Sequence, residues 1–200
     1  MGHERFGANI IIEKGDFKEM MELNLYQITT KLLQESFGGQ KEVCGIEIGT
    51  KCGDLTRTAL WALPQCQLYT IDPYEHRDGA EFEAGEMQDY HNQNHAFAET
   101  RLLIPEFGDR VVMLIMRSKD AYPWIIEKNP GKKFDFLLVD GDHSEEGIKT
   151  DLDLYYPLVK EGGFAIFHDF GQCHPLSEIL QERFKDKIQV GGDFTGYVFG

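Results

Sequence analysis

Residues 43–72 read VCGIEIGTKCGDLTRTALWALPQCQLYTID, and the fold is decided there. Val43 to Ile48 is an apolar run ended by Gly49, which predicts a buried strand. Residues 54–63 follow with helical spacing, and Asp54 is the expected N-cap. Leu68 to Ile71 is a second apolar strand running straight into Asp72-Pro73. A strand, a glycine turn, a helix and another strand within thirty residues predict two neighbouring parallel strands joined by a helical crossover.

The rest of the chain continues that alternation. Upstream, residues 16–36 place Phe17, Met20, Met21, Leu23, Leu25, Ile28, Leu32 and Leu33 at mostly three- and four-residue steps, a helix closed by Gly38-Gly39. Downstream come a helix from near Glu86 to about Ile104, a strand over 111–115, a helix over 119–128 and a strand over 134–139. A helix over 144–159, a strand over 164–167 and a helix over 175–185 complete the series. The ending KIQVGGDFTGYVFG reads as two strands around Gly191-Gly192, a hairpin. Five nearly continuous apolar strands require a parallel sheet covered on both faces, and the hairpin adds an antiparallel edge. The expectation is an α/β, doubly wound, mostly parallel seven-stranded sheet in one domain spanning 1–200. Residues 1–40 form its N-terminal helical segment and 74–97 a lid-like insertion.

Composition narrows the partners. The chain carries 34 acidic and 20 basic residues, a net charge of −14. Such a surface repels phosphate backbones and anionic lipid, so neither nucleic acid nor membrane is expected as a partner. Cys44, Cys52, Cys66 and Cys173 form no CxxC pair and lack finger-like His spacing, which argues against structural zinc and for reduced thiols in the cytoplasm. The N-terminus has no apolar run long enough for a leader or a span.

In a doubly wound sheet the ligand crevice lies beyond the carboxyl ends of the strands, where strand order reverses. The residues just after each strand are therefore the candidates. After the first comes the E-x-G-x-x-x-G turn from Glu47 through Gly49 and Thr50 to Gly53, where glycines admit a ligand to the backbone and a helix start offers free N–H groups. The same turn also serves as a plain connector. It lacks G-x-G-x-x-G, which argues against NAD or FAD. Asp72, after the second strand, can accept from both hydroxyls of a ribose or simply make a turn with Pro73. Ser118, after the third, is a helix cap or faces a base edge.

Asp140-Gly141-Asp142-His143 ends the fourth strand and His168-Asp169 the fifth. Neighbouring strands lie about 4.8 Å apart, so Asp140 and Asp169 converge if these two pair. Two carboxylates with imidazoles alongside suit a hard divalent ion, and without a cation they repel. The plainer alternative is that each Asp caps the following helix. His91 and His95 share a helical face, with no third ligand in view, and read as lid residues.

The E-x-G-x-x-x-G turn, the acid after strand two and the run VDGDHSEEGIKTDLDLYYPLVKEGGFAIFHDF together resemble the class I S-adenosylmethionine-dependent methyltransferases. The nearest likeness is to the bacterial small-molecule O-methyltransferases marked by VDG-x-H, D-L-x-x-x-x-P-L, PGG and HD, over residues 40–200. Glu161-Gly162-Gly163 stands where that family has PGG. The resemblance implies a Rossmann-like sheet, S-adenosylmethionine as cofactor and a small hydroxylated acceptor, and it leaves a homodimer open. It implies that Glu47, Gly49, Thr50 and Gly53 hold the methionine end, with Asp72 on the ribose, Ser118 near the adenine and Asp140 bordering the cofactor. It also implies Asp140 and Asp169 as ligands of Mg²⁺ or another divalent cation. Phe170 occupies the place of the third ligand, usually Asn, so Asp142, His168 or water substitutes, or no metal binds. Where the similar catechol O-methyltransferases carry a catalytic Lys, this chain has His143, whose pKa range suits a general base. A relative that has kept the fold without methyl transfer and a non-enzymatic nucleoside-binding module are the alternatives.

Overall fold

A computed structural model describes residues 4–6, 10–12, 22–74, 95–192 and 195–200. Strands β1 (Glu4–Phe6) and β2 (Ile10–Ile12) pair antiparallel, so the N-terminal segment is not purely helical. Helix α1 runs Leu25–Phe37. It starts well after residue 16 because Asn24 and Gln27 form a reciprocal capping box, and residues 22–24 lie outside the helix. The expected stretch 16–21 lies outside the described residues.

The main sheet contains β3 (Val43–Ile48), β4 (Cys66–Ile71), β5 (Val111–Leu114), β6 (Phe134–Val139), β7 (Val159–Phe167), β8 (Gln189–Val190) and β9 (Gly196–Phe199). Their order is β5-β4-β3-β6-β7-β9-β8. The first five are mutually parallel, and β9 pairs antiparallel with both β7 and β8. The chain builds outward from β3 to β5, then returns to place β6 on the other side of β3. The switch point therefore falls between β3 and β6, and the crevice must open above their carboxyl ends.

Period-two alternation assigns the core to two layers. Val43, Leu68, Phe136, Leu138, Phe164 and Ile166 pack with α1 and with α2 (Asp54–Ala62) on one face. Cys44, Ile46, Ile48, Leu137, Ala165 and Phe167 face the other, against α4 (Ser118–Lys128), α5 (Glu145–Tyr155) and α6 (His174–Phe184). Every residue of β3 is buried, as a central parallel strand with both faces covered requires.

Several boundaries move for identifiable reasons. Gly53, at φ 80°, is the residue flanking α2, and Asp54 is the first helical residue rather than the cap. Residues 95–100 are helical, a turn at 101–102 intervenes, and α3 (Leu103–Phe107) follows, so no single helix reaches Ile104. Ser144 caps α5 rather than lying in its first turn, accepting from the Gly147 amide. The helix then stops at Tyr155, and Pro157 continues in a single tight turn. β7 starts at Val159, earlier than expected, and absorbs Gly162-Gly163 through a register shift against β6 between Phe134 and Phe136.

Candidate active site

The loop after β3 is held by its neighbours on both sides. Gly49 has φ 86°, and a Cβ there would lie 1.9 Å from the Asp140 carbonyl oxygen, so only glycine lets the β3 and β6 ends close up. Its amide donates to Ile71 O at 2.8 Å. Lys51 and Tyr74 adopt positive φ without being glycine, 47° and 49°. One carboxylate stabilises both: Asp72 accepts from the Lys51 amide through Oδ2 and from the Tyr74 amide through Oδ1, each at 2.9 Å. The Tyr74 hydroxyl reaches Thr100 Oγ1 at 2.9 Å and the Lys51 carbonyl at 3.1 Å, docking the 95–100 helix on the loop. Burial pushes the Asp72 carboxyl up, and the two amides oppose it. Each of its oxygens keeps a second lone-pair direction for a further donor.

Glu47 lies beneath this loop with no exposed surface. The Thr56 hydroxyl donates to its Oε2, and its Oε1 has no partner among the described residues. Burial drives its pKa up to about 8, opposed by Thr56 and reinforced by the charges of Asp140, Asp72 and Asp54. Thr50 is likewise buried, and its Oγ1 has no partner among the described residues. The Glu47 side chain, expected at the methionine end, is buried beneath the turn.

On the other side of the switch point, β6 and β7 pair in parallel with Val139 opposite Phe167, and this brings Asp140 and Asp169 together as anticipated. His143 stands between them. Its Nε2 is 3.5 Å from Asp140 Oδ1 and 3.7 Å from Asp169 Oδ2. His168 Nδ1 lies 3.3 Å from Asp140 Oδ1 and 3.5 Å from Asp169 Oδ1. Burial alone would raise the Asp140 carboxyl, but hydrogen bonds from His143 and His168 overrule it and hold it below the usual range. The hydrogen bond to Asp140 raises His143, burial opposes, and the charges of Asp140 and Asp169 add to the rise.

Donor atoms of Asp140, His143 and Asp169 all lie within 4.8 Å of one another. The converging third donor is therefore His143, and His168, expected as a ligand, flanks the trio. Asp142 is not among the three converging donors, and its Oδ1 accepts from the Ser144 amide at 2.9 Å. Phe170 is buried in the core and closes the place where the resemblance puts an oxygen ligand.

Ser118 is the first residue of α4 and does not cap it; Arg117 precedes the helix without a side-chain cap bond. The Ser118 carbonyl accepts from the Tyr155 hydroxyl at 2.6 Å. Asp151 was not singled out from the sequence. It is 2 % exposed, and burial drives its pKa to about 6, the Ser118 bond opposing and the Asp142 charge adding. A signal for it existed, since Ile148, Asp151, Leu152 and Tyr155 share the buried stripe of α5. Of the lid histidines, His91 lies outside the described residues, and His95 is exposed beside Glu99. All four cysteines are unpaired, and burial raises the Cys44, Cys52 and Cys66 thiols, so these three are poor nucleophiles.

Residues 46–170 match the model of the methyltransferase domain family. The chain belongs to this family. Among solved structures it is similar to the O-methyltransferase NovP, at 18% identity, a TM-score of 0.63 and coverage of 87% of this chain and 78% of that one. It is also similar to CalS11, a TDP-rhamnose 3'-O-methyltransferase of calicheamicin biosynthesis, at 13% identity, a TM-score of 0.59 and coverage of 94% and 87%. MycE, solved with Mg, SAH and mycinamycin VI, matches at 14% identity and a TM-score of 0.56 over 89% of this chain and 50% of that one. At these identities the likeness establishes the class I methyltransferase fold. An uncharacterised protein of Acanthamoeba polyphaga mimivirus is 29% identical over 66 residues, 32% of this chain and 30% of its own length. Less than a third of that relative is thus spanned. No helix among the described residues is long and apolar enough to cross a membrane.

Proposed function

We propose that this methyltransferase-family chain acts as one domain that moves the methyl group of S-adenosylmethionine onto an oxygen of a small hydroxylated acceptor. The observation that carries the reading is the His143 imidazole between Asp140 and Asp169, beside the switch-point crevice that Asp72 and the Gly49–Gly53 turn border. The crevice fits the cofactor: a strand-end carboxylate with free lone pairs suits a ribose, and the unpartnered polar atoms Glu47 Oε1 and Thr50 Oγ1 lie under the turn. When bound, S-adenosylmethionine supplies an electrophilic methyl on a sulfonium, open to in-line displacement by an acceptor oxygen.

The side chains do the rest. The carboxylates of Asp140 and Asp169, 3.5 and 3.7 Å from His143 Nε2, favour the proton on that nitrogen and leave Nδ1 with the lone pair. Nδ1 takes the acceptor's proton as the oxygen–carbon bond forms, and the two carboxylates stabilise the resulting imidazolium. Asp72 orients the ribose while its backbone partners keep the β3 loop closed. The surrounding charge of −14 favours a small acceptor over nucleic acid or anionic lipid, and unpaired thiols are compatible with the cytoplasm.

A second arrangement is favoured by the convergence of three donors. Asp140, His143 and Asp169 would hold a divalent cation that lowers the pKa of the acceptor hydroxyl. An imidazole in the set suits Mn²⁺, Fe²⁺ or Zn²⁺ better than Mg²⁺, which prefers oxygen donors. Calorimetric titration with S-adenosylhomocysteine and with NADH tests the cofactor assignment: binding of the first and not the second is expected. NADH binding with no response to S-adenosylhomocysteine overturns it.

A further inference from the structure

We infer that Thr100 and Tyr74 are positioning residues for the turn after β3. Their hydroxyls hold the Lys51 carbonyl on the β4 side and so keep the Cys52 N–H facing the crevice, as a donor to the carboxylate of the cofactor's amino-acid end. The inference rests on reading the crevice as an adenosyl-sulfonium site and deepens it, naming residues outside the turn that set the turn's polarity.

Gly49, Lys51 and Gly53 have positive φ, so every second residue of the turn reverses the handedness of the chain. Such a backbone forms no repeating hydrogen-bond ladder, and its polar groups are held one at a time. The Gly49 amide donates to Ile71 O at 2.8 Å, the Lys51 amide to Asp72 Oδ2 at 2.9 Å and the Gly53 amide to Thr50 O at 2.8 Å. The Cys52 amide has no acceptor among the described residues. Its direction is set by the carbonyl of the same peptide. That peptide is planar and trans, so the Lys51 C=O and the Cys52 N–H point in opposite directions. Lys51 O accepts from the Tyr74 hydroxyl at 3.1 Å and from the Thr100 hydroxyl. Tyr74 follows β4, and β4 and β6 flank β3 on opposite sides. A carbonyl drawn towards the β4 side therefore turns the Cys52 N–H towards β6 and the switch point.

The two hydroxyls secure this redundantly. Tyr74 Oη lies 2.9 Å from Thr100 Oγ1, and Thr100 Oγ1 also lies 2.7 Å from Ala96 O. When Thr100 gives its single proton to Lys51 O, Tyr74 can give its own to Thr100; when Thr100 turns to Ala96 O, Tyr74 serves Lys51 O. One proton reaches that carbonyl either way. Docking of the 95–100 helix does not need the Thr100 hydroxyl. Phe97 stacks 5.1 Å from the Tyr74 ring, a Cβ on Gly53 would lie 2.9 Å from Leu103 Cδ1, and Arg57 bonds Cys52 O and Glu99 O at 3.0 and 3.4 Å. Thr100 nevertheless has no exposed surface, and an apolar side chain there would be cheaper to bury.

Titration with S-adenosylhomocysteine and with methylthioadenosine, which keeps the base, ribose and sulfur but lacks the amino-acid end, reads the effect. Thr100→Val combined with Tyr74→Phe removes both hydroxyls at nearly constant shape and frees the Lys51–Cys52 peptide to turn. This double variant is expected to bind S-adenosylhomocysteine about 10- to 100-fold more weakly, the scale of one hydrogen bond to a charged group, and methylthioadenosine within about threefold of wild type. Thr100→Ser beside Tyr74→Phe keeps one hydroxyl and should restore S-adenosylhomocysteine affinity to within about threefold. Unchanged affinity in the double variant overturns the inference, as does failure of the serine to rescue. Equal weakening of both compounds overturns it too, since that marks a general loosening of the turn. Should the double variant not fold, the Cys52 amide resonance of the wild type decides: it should move with S-adenosylhomocysteine and hardly at all with methylthioadenosine, and equal movement with both overturns the inference. If the wild type binds neither compound, the cofactor reading fails and takes this inference with it; binding of both without the expected split defeats the inference alone.

Discussion

Glu47 and Asp72, on the β3–β4 side of the switch point, have their carboxylates tied to the protein's own frame: Thr56 holds one, and the Lys51 and Tyr74 amides hold the other. Asp140 and Asp169, on the β6–β7 side, are compensated by two imidazoles instead, at 3.3 to 3.7 Å. Amides and a hydroxyl do not titrate near neutral pH and scarcely move; imidazoles exchange protons and remain about half accessible at His143. On the proposed reading, the same charge type at matching strand ends holds a ligand in one place and handles a proton in the other. On the β3–β4 side the Lys51 amide of the crossover and the Tyr74 amide just beyond β4 both turn onto Asp72. The β6 and β7 ends carry histidines, in loops 140–144 and 168–173, close in length to 49–53.

If this division is sound, damage to the two sides should separate kinetically. His143→Ala is expected to lower turnover by about 10²- to 10⁴-fold, the usual contribution of a general base, with S-adenosylhomocysteine affinity and melting temperature close to wild type. Full turnover in that variant, or loss of activity only through unfolding, would remove His143 from the chemistry. Exhaustive chelation sharpens the same side. With a cation on Asp140, His143 and Asp169, turnover should fall and recover on adding Mn²⁺ while cofactor affinity stays put. Undiminished turnover after chelation would confine both acids to orienting the imidazole.

The opposite pattern is expected from Asp72→Ala. It removes an acceptor for ribose hydroxyls, each hydrogen bond to a charged group being worth about 1.5–3 kcal/mol, so S-adenosylhomocysteine should bind at least tenfold more weakly. It also releases the Lys51 and Tyr74 amides that the carboxylate holds at positive φ, so the melting temperature should drop too. Unchanged affinity by calorimetry would falsify the ribose assignment.

The sheet and the strand-end acids were legible in the sequence because a parallel strand buried on both faces is a continuous apolar run, and its end marks where the crevice must lie. Asp72, Asp140 and Asp169 follow from that rule alone. What a loop does next was not legible. No glycine announces the left-handed backbone at Lys51 and Tyr74, since the Asp72 carboxylate at the end of β4 compensates for it. Three residues of spacing between Asp140 and His143 do not say which way the ring turns, so its place in the trio emerged only with β7 alongside. Asp151 was hidden for a third reason. An acid on an amphipathic helix is readily taken for its solvated face, although its spacing from Ile148, Leu152 and Tyr155 puts Asp151 on the buried stripe.

The smallest effect tests whether Glu47 belongs to the holding side. Its folded-state pKa of about 8 lies above the ordinary 4.5, so between these values the folded protein keeps a proton that the unfolded chain releases. Stability must then decline as pH rises through that window, by at most about 1.4 kcal/mol per pH unit if this carboxyl alone differs. Below 4.5 and above 8 its contribution is flat. Glu47→Gln mimics the protonated form and still offers Thr56 an acceptor, so its stability curve should lack the decline, tracking wild type near pH 5 and exceeding it near pH 8. Urea unfolding at pH 5, 6.5 and 8 measures the divergence. Parallel curves for the two proteins would mean that Glu47 is already ionised in the folded state at neutral pH, and the side of the crevice built to hold would carry one more fixed negative charge than its burial suggests.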